Sequence, residues 1–242
     1  MRFFKQSILS LIILISSTMP ETYAQSNEGL SVQQQNTVKI SALTSVGDLT
    51  NLKKSLNEGL DAGLTVSEIK ESLVHLYAYC GFPRSIRGLQ TFMEVLEERK
   101  ARGINDSRGN EASAIVKDGS KYERGKAILG ELTKTKQDEP LTGYSAFAPV
   151  IDTFLKEHLF ADIFERDVLN YAQRELVTIS VLSSIGGVEP MLRGHLSISL
   201  NVGLTPQQLT HFITVIESTV GKEKANAAKT VLTEVLKGRQ QK

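Results

Sequence analysis

Residues Gln34 to Gly47 read QQNTVKISALTSVG, and residues Gln173 to Gly186 read QRELVTISVLSSIG. Half of these fourteen positions are identical, and most of the others are conservative. After a shift of one residue the match continues. Leu60-Asp61-Ala62-Gly63-Leu64-Thr65 faces Leu200-Asn201-Val202-Gly203-Leu204-Thr205, and Gly81 faces Gly221. A spacing of about 140 residues, held over some fifty, reads as an internal repeat: two diverged copies of one unit.

Each copy reads as helices. In the second, Leu176, Ile179, Val181, Leu182 and Ile185 recur with helical spacing, and Gly186-Gly187 ends that helix. Met191 to Val202 makes the next helix, with Gly203 as its left-handed stop. Thr205 then caps a third, with Pro206 at its first position and Gln208 completing a capping box. The first copy has Thr65 and Glu68 at the same point, so equivalent caps support the alignment physically. The helix after Thr65 buries Ile69, Leu73, Leu76 and Tyr77 and ends near Gly81; Pro83 opens another that runs to about Lys100. Helices are also expected over Tyr122–Leu132 and, around Pro149, over Phe147–Phe164, with a loop from Gln137 to Gly143. No stretch alternates like a strand, so the fold class is all-α.

The 242 residues carry a net charge of +1 and no basic stripe, which argues against a nucleic-acid partner. The N-terminus differs from the rest. Arg2 and Lys5 precede an apolar run from Ile8 to Ile15, and Thr22-Tyr23-Ala24 closes it with a small residue. This predicts a secretory signal over 1–24, export to the periplasm or medium, and no stable membrane insertion once the signal is removed. The apolar run is too short for the roughly 20 residues a membrane span needs. Cys80 is the single cysteine, so no intramolecular disulfide forms. The expected organisation is a first unit over 25–102, a linker rich in Gly, Asn, Asp and Ser over 103–120, and a second unit over 121–242.

Several motifs, in order, resemble the carboxymuconolactone decarboxylase family. The second copy carries Arg174-Glu175-Leu-Val-Thr-Ile, Leu192-Arg193-Gly194-His195-Leu and Asn201-Val-Gly203-Leu-Thr205. The first carries His75-Leu-Tyr77-Ala-Tyr79-Cys80-Gly81-Phe82-Pro83. The resemblance implies an all-α fold around a helical hairpin and assembly into homo-oligomers, here a trimer of two-unit chains. It implies a small-molecule substrate and either decarboxylation of lactone carboxylates or thiol reduction of alkyl hydroperoxides. The peroxidase branch has Cys-x-x-Cys twelve residues after the motif glutamate; Gly187 and Pro190 stand in that register here, which favours the decarboxylase-like branch.

The copies have diverged in a complementary way. Gln35 and Asn36 stand where the second copy has Arg174 and Glu175; Thr219 to Glu223 stand where the first has Tyr79 to Pro83. A composite site is therefore expected, with halves drawn from different units. Glu175 and His195 are its acid–base candidates, because decarboxylation moves a proton at carbon and histidine titrates near neutrality. The plain alternative is a structural Arg174–Glu175 ion pair. Arg193 is a candidate for holding a substrate carboxylate, and His75, Tyr79 and Arg84 are candidate binding residues, with solvated surface charge as the alternative for the arginines. Cys80, expected beside a helix N-terminus and near His75, is either a low-pKa thiolate able to reduce peroxide or a small buried hydrophobe. No cofactor and no metal are expected: the histidine spacings give no ligand set, and there is no phosphate loop or nucleophile elbow. Three functions stand side by side: a cofactor-free lyase or isomerase, a one-cysteine peroxide reductase, and a non-catalytic oligomeric binding protein.

Overall fold

The computed structural model describes residues 29–116, 118–137 and 140–241. The expected signal over 1–24 lies outside the described residues. Within them the chain is helical and contains no strand. The helices are α1 (Val32–Val46), α2 (Leu49–Asp61), α3 (Val66–His75), α4 (Tyr77–Ala101), α5 (Lys121–Thr133), α6 (Gly143–Phe147) and α7 (Pro149–Phe154), a π-helix over Leu155–Ile163, then α8 (Tyr171–Ile185), α9 (Glu189–Asn201), α10 (Pro206–Val220) and α11 (Lys222–Gln240).

Local chemistry sets the helix starts. Ser31, Thr65, Asn170 and Thr205 each accept from the backbone of a residue three further on. In return Gln34, Glu68, Gln173 and Gln208 accept from the cap backbone, four reciprocal boxes. Gly81 and Gly221 take nearly the same conformation, φ 81° and ψ 160° against φ 98° and ψ 164°. That region strongly favours glycine, and it kinks the first helix pair and separates α10 from α11.

α1 and α8 pack together at the centre of the molecule. Every residue of α8 from Arg174 to Ser184 is buried. A helix buried on all faces cannot show one apolar stripe, and its polar side chains must be satisfied internally. Thr178, Ser180 and Ser184 each donate to the carbonyl four residues back, as do Ser41 and Thr44 on α1. These hydroxyls are satisfied within their own helices, whereas the buried Ser183 hydroxyl of α8 has no partner.

Three apolar clusters surround this pair. One joins Leu176, Ile179 and Phe212 to Leu30, Val38 and Ala42 from the start of the chain. A second joins Leu52, Leu73 and Phe92 to Val177 and Val181. The third lies between α5, the π-helix and Ile198. Each of the first two draws residues from both parts of the chain.

The segment expected as one helix over Phe147–Phe164 is divided. Ala148 sits at φ −135° and ψ 77°, because the residue before a proline is pushed out of the helical region. The linker is tied down as well: the Val66 and Ser67 amides donate to the carbonyls of Ser107 and Arg108, both at 2.9 Å.

Candidate active site

Glu175 on α8 is wholly buried, and its Oε2 lies 2.8 Å from Nδ1 of His195 on α9. A carboxylate only accepts, so Nδ1 carries the proton and donates. That fixes the tautomer and leaves Nε2 with its lone pair, which makes no hydrogen bond to the described protein. The His195 side chain keeps 14% of its surface exposed. Glu175 Oε1 is buried and has no partner.

The first copy meets this pair through Tyr79. Its ring stands edge-on to the His195 imidazole, with centroids 5.7 Å apart and planes at 86°. On its other side lies His75, at 5.5 Å. Burial pushes the Tyr79 phenol far above its usual range, and the nearby Glu175 adds to the rise. The hydroxyl is therefore a neutral O–H; it lies close to Thr178 but makes no well-formed hydrogen bond.

A buried polar network lies behind these groups. Arg174 donates to Glu71 Oε1 at 2.8 Å and to the Arg166 carbonyl at 2.6 Å. Arg166 completes a two-pronged grip on the same carboxylate at 2.9 and 2.9 Å. Arg174 Nη1 reaches His75 Nδ1 at 3.3 Å, and His75 Nε2 lies 2.9 Å from the Thr178 hydroxyl. Burial, helped by the Arg174 charge, holds His75 well below the ordinary histidine range.

The structure thus gathers Glu175, His195, Tyr79 and His75, drawn from both copies. Arg174 does not pair with Glu175; neighbours on a helix point to different sides, and Arg174 turns to Glu71. Arg193 is not brought to His195. It is half-exposed, pairs with Glu234, and lines a 600 Å³ groove with Ser197 and Asn201. Arg84 is exposed, and its guanidinium covers Gly47.

Of the two readings of Cys80, its surroundings favour the small hydrophobe over the low-pKa thiolate. Cys80 ends a short turn, Gly81 kinks the chain after it, and Sγ donates to the Leu76 carbonyl at 3.3 Å. Burial pushes the thiol up to about 11, outweighing the lowering influence of Arg84.

Glu71, Thr178 and Arg166 escaped the sequence reading. Glu71, His75 and Tyr79 recur four residues apart, a polar line running from α3 into the first turn of α4, beside the core residues Ile69 and Leu73. That spacing is a usable signal. Arg166 sits in a turn before α8 and offers none. Among the described residues, no group of three or more His, Cys, Asp or Glu is arranged to hold a metal ion.

Residues 149–234 match the carboxymuconolactone decarboxylase family, a segment that includes both Glu175 and His195. Over 123 residues the chain is 28% identical to the 4-carboxymuconolactone decarboxylase of Acinetobacter baylyi, covering 50% of this chain and 91% of that protein. The second half of the chain thus carries a segment similar to the carboxymuconolactone decarboxylase family.

Proposed function

We propose that the protein is a cofactor-free lyase or isomerase acting on a small carboxylated, lactone-like molecule, with His195 and Glu175 as its proton-transfer pair. The supporting observation is the 2.8 Å contact from His195 Nδ1 to a wholly buried Glu175, which leaves Nε2 as the ring nitrogen available for proton transfer. A second group that orients the imidazole and fixes its tautomer is what a proton-transferring histidine needs.

In a decarboxylation, the bond from the substrate carbon to its carboxylate breaks and carbon dioxide leaves. The electron pair stays on the carbon skeleton, and a proton is added there. His195 Nε2, once protonated, delivers that proton and recovers one from water. Glu175 stabilises the imidazolium in between. An isomerisation uses the same nitrogen first as base and then as acid. The predicted signal sequence assigns this work to a compartment outside the cytoplasm.

Peroxide reduction at Cys80 is the rival chemistry, and the raised thiol pKa weighs against it. The discriminating measurement is turnover of a carboxylated lactone, followed by carbon dioxide release. Glu175→Gln and His195→Asn are each expected to lower kcat by about 10²- to 10⁴-fold, with Cys80→Ser unaffected. Loss of hydroperoxide reduction in Cys80→Ser alone would select the thiol mechanism. A wild-type protein that turns over neither substrate class selects the non-catalytic binding protein.

A further inference from the structure

Helix α9 has two polar faces. On one, His195 meets Glu175. Roughly 200° round the helix from His195, at about 100° per residue, lie Arg193 and Ser197. With Asn201 they recur at four-residue intervals and line the 600 Å³ groove between α9 and α11. The two faces therefore look to different sides of α9. Helix α11 contributes Glu234, Gly238 and Arg239 to the groove. Lys134, the C-cap of α5, lines it as well, and is the one non-glycine residue of positive φ among the described residues, at 53°. Asn201 fixes this wall by donating from Nδ2 to the Leu132 carbonyl at 2.8 Å.

The groove is organised before any ligand enters it. Arg239 Nη2 donates to the Ser197 carbonyl at 2.7 Å and to Asn201 Oδ1 at 2.5 Å. That caps the last turn of α9 with one amino group. The Nε and Nη1 groups of Arg239 bond to none of the described residues. A guanidinium held in this way has already lost the freedom that binding would otherwise take from it. Gly238 leaves the floor bare, since a Cβ there would meet nothing within 4 Å. The volume is that of a site for a small organic molecule.

The charges select the ligand. Lys134, Arg193 and Arg239 line the groove against one acid, Glu234, while Glu131 lines the neighbouring cleft instead. Arg193 pairs with Glu234, and both side chains are about half-exposed, so this pair is weak and exchangeable. The two arginines act at separate points. Arg193 is held at the level of Glu234, and Arg239 lies five residues further along α11. On α9 the Ser197 and Asn201 partners of Arg239 lie four and eight residues beyond Arg193. At about 1.5 Å per residue the offset is roughly 6–12 Å, too far for one phosphate ion to grip both. Two carboxylates several carbons apart span it, and each fits a guanidinium fork. We propose that this groove is a binding site for a small organic dicarboxylate, separate from the Glu175–His195 pair and independent of the chemistry proposed there.

The test is isothermal titration calorimetry of the full protein with succinate, glutarate and adipate, beside butyrate and inorganic phosphate. At least one dicarboxylate is expected to bind with a Kd below about 1 mM, and about tenfold or more tighter than butyrate or phosphate. Arg239→Gln removes the oriented fork and Gly238→Leu fills the floor; each is expected to weaken that binding about tenfold or more. Both positions are exposed on α11, so each chain should fold, which circular dichroism and melting temperature verify. His195→Asn is expected to leave the affinity unchanged. The absence of any dicarboxylate Kd below about 1 mM overturns the proposal, as does phosphate or butyrate binding equally well. So does binding that persists in the folded Arg239→Gln and Gly238→Leu variants, and if His195→Asn abolishes it the carboxylates sit at the candidate active site instead.

Discussion

Arg174 Nη1 stands 3.3 Å from His75 Nδ1, and this contact dictates where the histidine keeps its proton. A guanidinium only donates, so Nδ1 must be the acceptor. Nε2 then carries the hydrogen and donates to Thr178, whose own proton goes to the Arg174 carbonyl at 3.0 Å. His75 is therefore a fixed neutral relay rather than a titrating acid. In nitrogen-edited NMR spectra it should keep the Nε2–H tautomer from pH 6.5 to 8, because burial and Arg174 hold its pKa well below 6.5. A His75 signal that titrates within that range would contradict the assignment.

Cys80 should be slow to alkylate. With its thiol at about 11, the thiolate fraction near neutrality is smaller than that of a free cysteine. The rate of iodoacetamide labelling in the native protein is expected to climb with pH and to bend only near 11. Labelling as fast as a small thiol at pH 7 would restore the redox reading.

Glu71 links acid stability to the site. Burial raises its pKa, but hydrogen bonds from Arg166 and Arg174, with their charges, outweigh that and leave it below 4.5. A carboxylate with a depressed folded pKa contributes stability above its unfolded value and loses it as pH falls through the folded one. Unfolding free energy should therefore decline below about pH 4.5. Glu71→Gln should cost about 3–5 kcal/mol at neutral pH, since two guanidiniums then face each other without their carboxylate. It should also flatten the acid limb. Equal acid sensitivity in the variant would mean that other carboxylates govern it.

Gly125 lies against the backbone of the π-helix. A Cβ there would sit 1.8 Å from the Lys156 carbonyl oxygen and 2.5 Å from its carbon, both backbone atoms of the π-helix. Neither can rotate away, so Gly125→Ala should destabilise by about 1–3 kcal/mol. Gly238→Ala meets nothing within 4 Å on helix α11, and there the added methyl should be neutral or gain about 0.5–1 kcal/mol. Chemical denaturation of the two variants, compared with wild type, reads both signs.

Much of the architecture was legible because it is local. Thr65 with Glu68 and Thr205 with Gln208 announced helix starts, and the structure has both boxes. Gly81 and Gly203 announced stops, and both have positive φ. Glu175 and His195 were legible through the motifs that carry the family resemblance, and the structure brings them into contact. What stayed hidden depends on tertiary surroundings. The Cys80 thiol responds to burial, which its neighbours in sequence do not reveal. Arg166 enters the site only because Glu71, 95 positions earlier, folds against it. The π-helix has no turn residue or period of its own to betray it.

Val177 and Val181 sit in the interior that Leu52, Leu73 and Phe92 build, while Leu30, Val38 and Ala42 complete the interior around Phe212. Severing the polypeptide between Ala101 and Ser120 would accordingly not liberate two self-sufficient pieces. Each fragment would carry valines or leucines stripped of their counterpart, and would need its mate in trans before gaining a stable shape. Expressed separately the fragments should stay largely unstructured, and mixing them should restore helix content together. Covalent tethering spares the cell that bimolecular search.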